Sequence, residues 1–124
     1  MSDEVPIVND FNKDWGKFIQ VYVKGQPYMW FGPGKFLHGH IFNDLLNKLE
    51  ISFESMKEHY CDETIQIPLI KGKDYELVGA GRVIEMSEKI KLFDKSASYS
   101  IGPNKKHAEK ISELTGLEII VKQD

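Results

Sequence analysis

The sequence contains only one cysteine, Cys61, so no disulfide can form within the chain. This pattern is typical of reducing compartments, although secreted proteins without disulfides share it. Acidic residues lie close to Cys61 on both sides, and they would raise the pKa of its thiol rather than lower it. We therefore interpret Cys61 as structural or incidental.

The sequence also lacks a long hydrophobic run and a strong excess of one charge. No apolar stretch approaches membrane-spanning length, and the acidic start MSDEVP is unlike a signal peptide. The 16 basic and 19 acidic residues give a net charge of −3, which does not suggest binding to nucleic acid or to an anionic membrane. These features predict a cytoplasmic protein.

The length of 124 residues is typical of one domain with one hydrophobic core. We expect residues 1–124 to form that single domain. Residues 1–14 are largely polar and contain Pro6, so they predict a flexible arm. No internal repeat is evident.

Hydrophobic periodicity predicts an α/β fold with a single mixed sheet flanked by two helices. Apolar residues at helical spacing predict a helix over much of 40–58, with its weakest point near Ile51-Ser52, where β-branching and a short polar side chain disfavour the helix. A second helix is predicted from the N-cap Asn104 to about Thr115, ended by Gly116, with Ala108, Ile111 and Leu114 on its inner face. The predicted strands are 17–23, 28–31, 65–70, 75–86, 89–93, 96–101 and 117–121.

The stretch FLHGHIF contains two histidines, His38 and His40, separated by Gly39. Both would share a face only if the backbone were extended, and a metal site would need at least one further ligand. The other candidates, His59, Cys61 and His107, have no recognisable metal-site spacing to the pair. Two exposed loop histidines and one functional histidine remain open as alternatives.

Two glycine-containing motifs resemble nucleotide loops only superficially. In GPGK, Lys35 is followed by Phe36 instead of serine or threonine, so a turn is the better interpretation. GAGR (79–82) is followed by more strand, which favours a β-bulge or close backbone packing. Arg82 could bind a phosphate, or it could be solvated or ion-paired.

The segment SASYSIGPNKKHAEK (96–110) leads from a serine-containing strand into a helix that begins with lysines. Free N–H groups at a helix N-terminus can bind an anion. Lysines in the first turn oppose the helix dipole. They indicate either a solvated face or extra positive potential toward an anionic partner.

Four segments in this order resemble motifs of the Janus/ocnus family, which includes protein phosphohistidine phosphatases. The segments are KFIQVYV, KFLHGHIFNDLL, GAGRV and KIKLFDKSASYSIGPNKKHAEK. The likeness extends from about Lys17 to the C-terminus. It implies a phosphohistidine phosphatase-like fold and a metal-independent protein histidine phosphatase, which hydrolyses P–N bonds without a cofactor.

The resemblance also implies roles for individual residues. His40 matches the catalytic histidine, a proton acceptor that assists attack on phosphorus, and Lys17 matches the substrate-binding lysine. The segment Ser98, Tyr99 and Ser100 matches the one whose backbone N–H groups and serine hydroxyl hold phosphate. We place Gly39, Ile41 and Arg82 in the same site, and we expect His38, which matches no family histidine, at its mouth. The expected partners are histidine-phosphorylated proteins, and the expected state is a monomer.

Three differences from the family pattern stand out. Gly39 replaces a tyrosine, the family's Ser-Met-Ala-Tyr becomes residues 98–101 here, and the interval before GAGR is longer, which indicates an insertion near 55–75. They motivate an alternative in which the chain is a non-catalytic Janus-like module. Such a module would bind a phosphorylated or acidic partner, and Lys105, Lys106 and Lys110 could attract an acidic protein.

Overall fold

The computed structural model describes residues 5–10, 15–60 and 63–122. Within these residues the chain forms seven strands and two helices. The elements are β1 (Trp15–Val23), β2 (Gln26–Gly32), α1 (His38–Lys48), β3 (Ser55–Tyr60), β4 (Glu63–Pro68), β5 (Tyr75–Met86), β6 (Lys89–Phe93), α2 (Lys105–Thr115) and β7 (Glu118–Val121). Cys61 lies outside the described residues.

The main sheet has five strands in the order β2-β1-β5-β6-β7. Its pairs are antiparallel except for the parallel pair β6–β7, whose connection contains α2. The predicted mixed α/β fold with two helices is therefore confirmed. The single sheet is not the whole architecture, because β3 and β4 form a separate two-stranded sheet.

The two faces of the main sheet carry separate cores, as the alternation in β1 predicts. Ile19, Val21 and Val23 join one core with α1, whereas Phe18 joins the other with α2. We call the first the α1 face and the second the α2 face. Because side chains alternate along a strand, the strand register assigns each candidate residue to one of these faces.

Helix α1 ends at Lys48, shortly before the weak point at Ile51-Ser52, so the predicted continuation toward residue 58 is wrong. Glu50 adopts a left-handed conformation with φ 57°. The N–H groups of Glu50 and Ile51 donate to the carbonyls of Asn47 and Leu46, which is the Schellman arrangement that terminates a helix. Glycine usually occupies the left-handed position of this motif. Because Glu50 occupies it here, the sequence did not indicate that the helix ends at this point. Met56 lies in β3, where it pairs with Ile67.

The predicted strand 96–101 is also wrong, because this segment is a tight turn. Ser100 has a left-handed φ of 58°, and its N–H donates to the carbonyl of Ser96. The buried Ser96 hydroxyl accepts from the N–H of Tyr99 at 3.2 Å. Serine side chains often form such local hydrogen bonds in place of strand pairing. These bonds explain why the alternating pattern of residues 96–101 did not produce a strand.

Helix α2 has the predicted ends. The Asn104 side chain accepts from the N–H of His107, and Gly116 is the left-handed C-cap. Ala108 and Ile111 are buried on the α2 face. Leu114 is 59% exposed in the last turn, so its predicted place on the inner stripe is wrong.

The motif GAGR combines the predicted bulge with close packing. The β1–β5 register shifts between Gln20 and Val21, which leaves Val78 without a partner on β1. A Cβ atom on Gly79 would collide with the Gln20 amide. That buried amide donates to the Asn104 carbonyl and accepts from the Asn104 N–H, so it ties α2 to the sheet.

The described part of the predicted arm lies against the edge of the main sheet. Val8 forms a parallel bridge with Met29. The Asn9 amide bonds both backbone groups of Phe31, much as a further strand would. Residues 5–10 therefore cover part of the β2 edge.

Candidate functional site

The two histidines of FLHGHIF lie in the first turn of α1, not in an extended segment. The helix begins at His38, with Leu37 as its N-cap. Residues two apart in a helix differ by about 200° in direction. His38 is consequently buried, with 4% exposure, whereas His40 is partly exposed and lines a cleft. The expectation that His38 lies at the mouth of the site is wrong.

The His38 ring is oriented by the main sheet. Its Nε2 lies 2.8 Å from the carbonyl oxygen of Gly81. A carbonyl only accepts hydrogen bonds, so Nε2 carries the proton. In the neutral ring the lone pair is then on Nδ1. The backbone carbonyl of Gly81 thus fixes the tautomer of His38.

His40 has the opposite arrangement of donor and acceptor. The backbone N–H of Leu37 donates to His40 Nδ1 at 3.3 Å, which is one half of a capping box. In the neutral ring, Nε2 therefore carries the proton. The Phe36 ring packs edge-on, with its centroid 6.1 Å from that of His40. In this geometry His40 offers a hydrogen-bond donor.

Gly39 and Ile41 position the first turn of α1. A Cβ atom on Gly39 would collide with the buried Ile67 of β4, and one on Gly32 would collide with Ile41. The turn is thus seated between β4 and the end of β2. The side chain of Ile41 is buried, so this residue could contact a ligand only through its backbone.

Lys17 and Arg82 are direct cross-strand partners on β1 and β5. The next pair on the same face of these strands is Ile19 with Ala80, two residues away on each strand, and both belong to the α1 core. Lys17 and Arg82 therefore lie on the α1 face. Lys17 also pairs with Gly32, which packs on Ile41, and Arg82 follows Gly81, which holds His38. The structure thus brings Lys17, Arg82 and the start of α1 to one end of the sheet.

This end of the α1 face favours an anion. Like charges placed directly opposite each other in a sheet repel, and the N-terminus of α1 adds a partial positive charge. Asp94 offsets part of this potential, because its carboxylate lies 3.3 Å from Arg82 Nε with both side chains about half exposed. Such an exposed pair is weak, so an incoming anion can compete for Arg82.

The segment 98–100 lies near α1 but is built differently from expectation. The Tyr99 ring is buried and packs edge-on against Phe42, and its hydroxyl donates to the Pro68 carbonyl at 2.8 Å. The N–H groups of Tyr99 and Ser100 are already bonded to Ser96. The N–H groups of Tyr99 and Ser100 are therefore not available to hold phosphate as predicted, and Ser98 is partly buried.

The lysines of α2 do not belong to this site. Helix α2 packs on the α2 face, and Lys110 lies over the Tyr22 ring at 5.5 Å. Tyr22 is five residues along β1 from Lys17, which corresponds to ~17 Å at about 3.3 Å per residue. Lys105 and Lys106 are exposed in the first turn of the same helix, so they cannot line a ligand held by Lys17.

Sequence reasoning missed the cleft beside His40. The cleft has a volume of about 360 Å³ and runs between α1 and the end of β2. We call it the α1 cleft; its residues include Pro33, Phe36, His40, Asn43, Asp44 and Asn47. The signal was the polar stripe of α1, but such a stripe is usually a solvated face.

The described part of the chain has neither a metal-ligand cluster nor a membrane-spanning helix. No group of three or more His, Cys, Asp or Glu residues there is arranged to hold a metal ion. None of the helices in those residues is long and apolar enough to cross a membrane.

No protein-family model matches the chain, and no curated protein matches its sequence.

Proposed function

We propose that the chain is a metal-independent phosphatase that hydrolyses the P–N bond of phosphohistidine in proteins. One observation supports this most strongly. A histidine whose tautomer is fixed by a strand carbonyl, His38 on Gly81, stands beside the cross-strand cations Lys17 and Arg82. The resemblance to the Janus/ocnus motifs independently points to this end of the sheet.

The proposed roles begin with the cations. Lys17 and Arg82 hold the phosphoryl oxygens, assisted by Ser98 and the N-terminus of α1. Fixed donors and cations of this kind stabilise the charge of the transferring phosphoryl group, which accounts for most of phosphoryl-transfer catalysis. Arg82 exchanges its pair with Asp94 for the substrate.

The two histidines have different roles. A water attacks phosphorus and gives its proton to His38 Nδ1 as the P–O bond forms. The P–N bond breaks, and protonated His38 passes this proton to the leaving imidazole nitrogen, while the Nε2–H of neutral His40 donates a hydrogen bond to a phosphoryl oxygen. The products are inorganic phosphate and histidine. The resemblance gives the base role to His40, but the hydrogen bond from Leu37 favours His40 as donor and His38 as acceptor.

A non-catalytic module that binds a phosphorylated partner is the second candidate. Its support is that Arg82 is paired with Asp94 and that two N–H groups of the 98–100 segment are bonded within the turn. A site with these features could bind phosphate without accelerating its transfer.

Phosphate release from a histidine-phosphorylated protein separates the two functions. The phosphatase proposal expects release that persists with a chelator and falls at least ~10-fold in Lys17→Met. A histidine-phosphorylated protein that binds but stays phosphorylated would establish the binding module instead. Activity that a chelator abolishes would contradict metal independence.

A further inference from the structure

We propose that the α1 cleft binds the peptide segment next to the phosphohistidine, and that Asp44 makes the cleft prefer a basic neighbouring residue to an acidic one. This inference rests on the proposed function and names the substrates it favours. It commits to one occupant, an extended peptide of the phosphoprotein.

The cleft is continuous with the candidate site. His40, Asn43, Asp44 and Asn47 line it and are spaced by three or four residues, so they form one face of α1. From His40 to Asn47 the helix rises ~10 Å at 1.5 Å per residue. An extended peptide covers that length with about three residues at 3.3 Å each. A peptide whose phosphohistidine meets His40 therefore has its neighbours along this face.

The residues that line the cleft are better suited to bind a peptide backbone than to bind another phosphate group beside the phosphohistidine. The Asn47 amide donates to Asn43 Oδ1 at 3.3 Å, so Asn43 Nδ2 remains as a donor and Asn47 Oδ1 as an acceptor for a peptide group. Phe36 and Pro33 provide apolar contact on the opposite wall. Among the described residues that line the cleft there is no lysine or arginine, so beyond His40 the lining carries no cationic side chain for a second phosphate.

Asp44 supplies the charge preference. Its carboxylate accepts from Trp30 Nε1 at 3.0 Å, which fixes its position. Lys48 lies 3.4 Å away, but the side chains of Lys48 and Asp44 are 55% and 52% exposed. A pair this exposed is weak, so a cationic side chain of the substrate can share the carboxylate. An acidic side chain would instead be repelled.

This preference is opposite to the one expected from the lysines of α2. Those lysines lie on the α2 face, away from Lys17 and His40. An acidic segment bound there would not bring its phosphohistidine to the site.

The test compares two peptides that differ only by lysine or glutamate within three residues of the phosphohistidine. We expect kcat/KM of the wild-type protein to favour the lysine peptide by about 5-fold, the scale of one exposed ion pair. Asp44→Asn keeps an acceptor for Trp30 and should bring the ratio close to one. Taking the ratio cancels any general loss of activity. Glu109→Gln, on the exposed side of α2, is the matched control and should keep the wild-type ratio.

The outcomes separate this inference from the proposed function. Hydrolysis of both peptides with the same ratio in wild type and Asp44→Asn would overturn the inference and leave the phosphatase intact. If neither peptide is hydrolysed, the proposed function fails. In that case, dissociation constants of the same two peptides, each carrying a non-hydrolysable phosphonate analogue, test whether the α1 cleft has the proposed charge preference. A lysine preference that Asp44→Asn removes supports the cleft, and equal affinities refute it.

Discussion

At the scale of single residues, the buried histidine His107 shows how the fold fixes a protonation state. Its Nε2 lies 3.1 Å from the carbonyl of Val21, and its Nδ1 lies 3.3 Å from the Gln20 amide nitrogen. The carbonyl needs a donor and the amide N–H needs an acceptor, so only the neutral ring fits. Burial is the main reason that the pKa of His107 is lowered to about 4, and the nearby charge of Lys110 lowers it further.

This shift predicts acid sensitivity. In the unfolded chain the pKa of His107 returns to about 6.5, so the unfolded state binds more protons between pH 6.5 and 4. The stabilisation is complete above pH 6.5 and is lost as the pH falls toward 4, on the order of 3 kcal/mol in the free energy of unfolding.

Urea unfolding of the wild type and His107→Gln at several pH values measures this effect. The variant should be less stable at pH 7, and the difference between the two proteins should shrink toward pH 4.5. A difference that stays constant across that range would refute the assignment. The other titrating groups are common to both proteins, so their contributions cancel in the difference between the two free energies of unfolding.

At the scale of elements, the start of α2 is the best-defined junction between a helix and the main sheet. The Asn104 side chain accepts from the N–H of His107 at 2.9 Å and donates to the carbonyl of Val78 at 3.2 Å. Val78 is the bulge residue of β5. One side chain therefore caps the helix and satisfies a carbonyl that the bulge leaves out of the β1 ladder.

Replacing Asn104 should accordingly cost more than losing an ordinary cap. We expect Asn104→Ala to lower the free energy of unfolding by about 2 kcal/mol, at the upper end for an N-cap. Asn104→Asp keeps the capping oxygen but loses the donor to Val78, so its loss should be smaller. Urea midpoints measure both, and an Asn104→Ala protein as stable as the wild type would contradict the role.

The elements that could be predicted are those with local signals. Asn104 and Gly116 marked the ends of α2, and the apolar pattern of 75–86 and 89–93 matched β5 and β6. The missed features depend on unusual backbone conformations. Glu50 ends α1 and Ser100 closes the 96–101 turn with left-handed backbones that sequence normally assigns to glycine.

The candidate site could be predicted only in outline. The motifs pointed to Lys17, Arg82 and His40, and the structure brings Lys17, Arg82 and the first turn of α1 to one end of the α1 face, together with His38, which the motifs did not include. The unequal surroundings of His38 and His40 could not be predicted, because they depend on where α1 begins. The contacts of Tyr99 depend on β4, which lies in the segment expected to be an insertion.

At the scale of the whole molecule, the main sheet separates two sets of charges. Lys17, Arg82 and the start of α1 lie on one face, and the lysines of α2 lie on the other. The acidic-partner idea drawn from those lysines therefore concerns a different surface from the phosphate site. The proposed chemistry depends only on the α1 face.

The rate of phosphate release from a histidine-phosphorylated protein, compared between the wild type, His38→Gln and His40→Gln, tests the central claim most directly. Glutamine at position 38 can keep a donor for the Gly81 carbonyl but cannot accept the proton. We predict release by the wild type, a loss of about 100-fold or more in His38→Gln, and a smaller loss of ~10-fold in His40→Gln. Full activity of a folded His38→Gln protein would contradict the account.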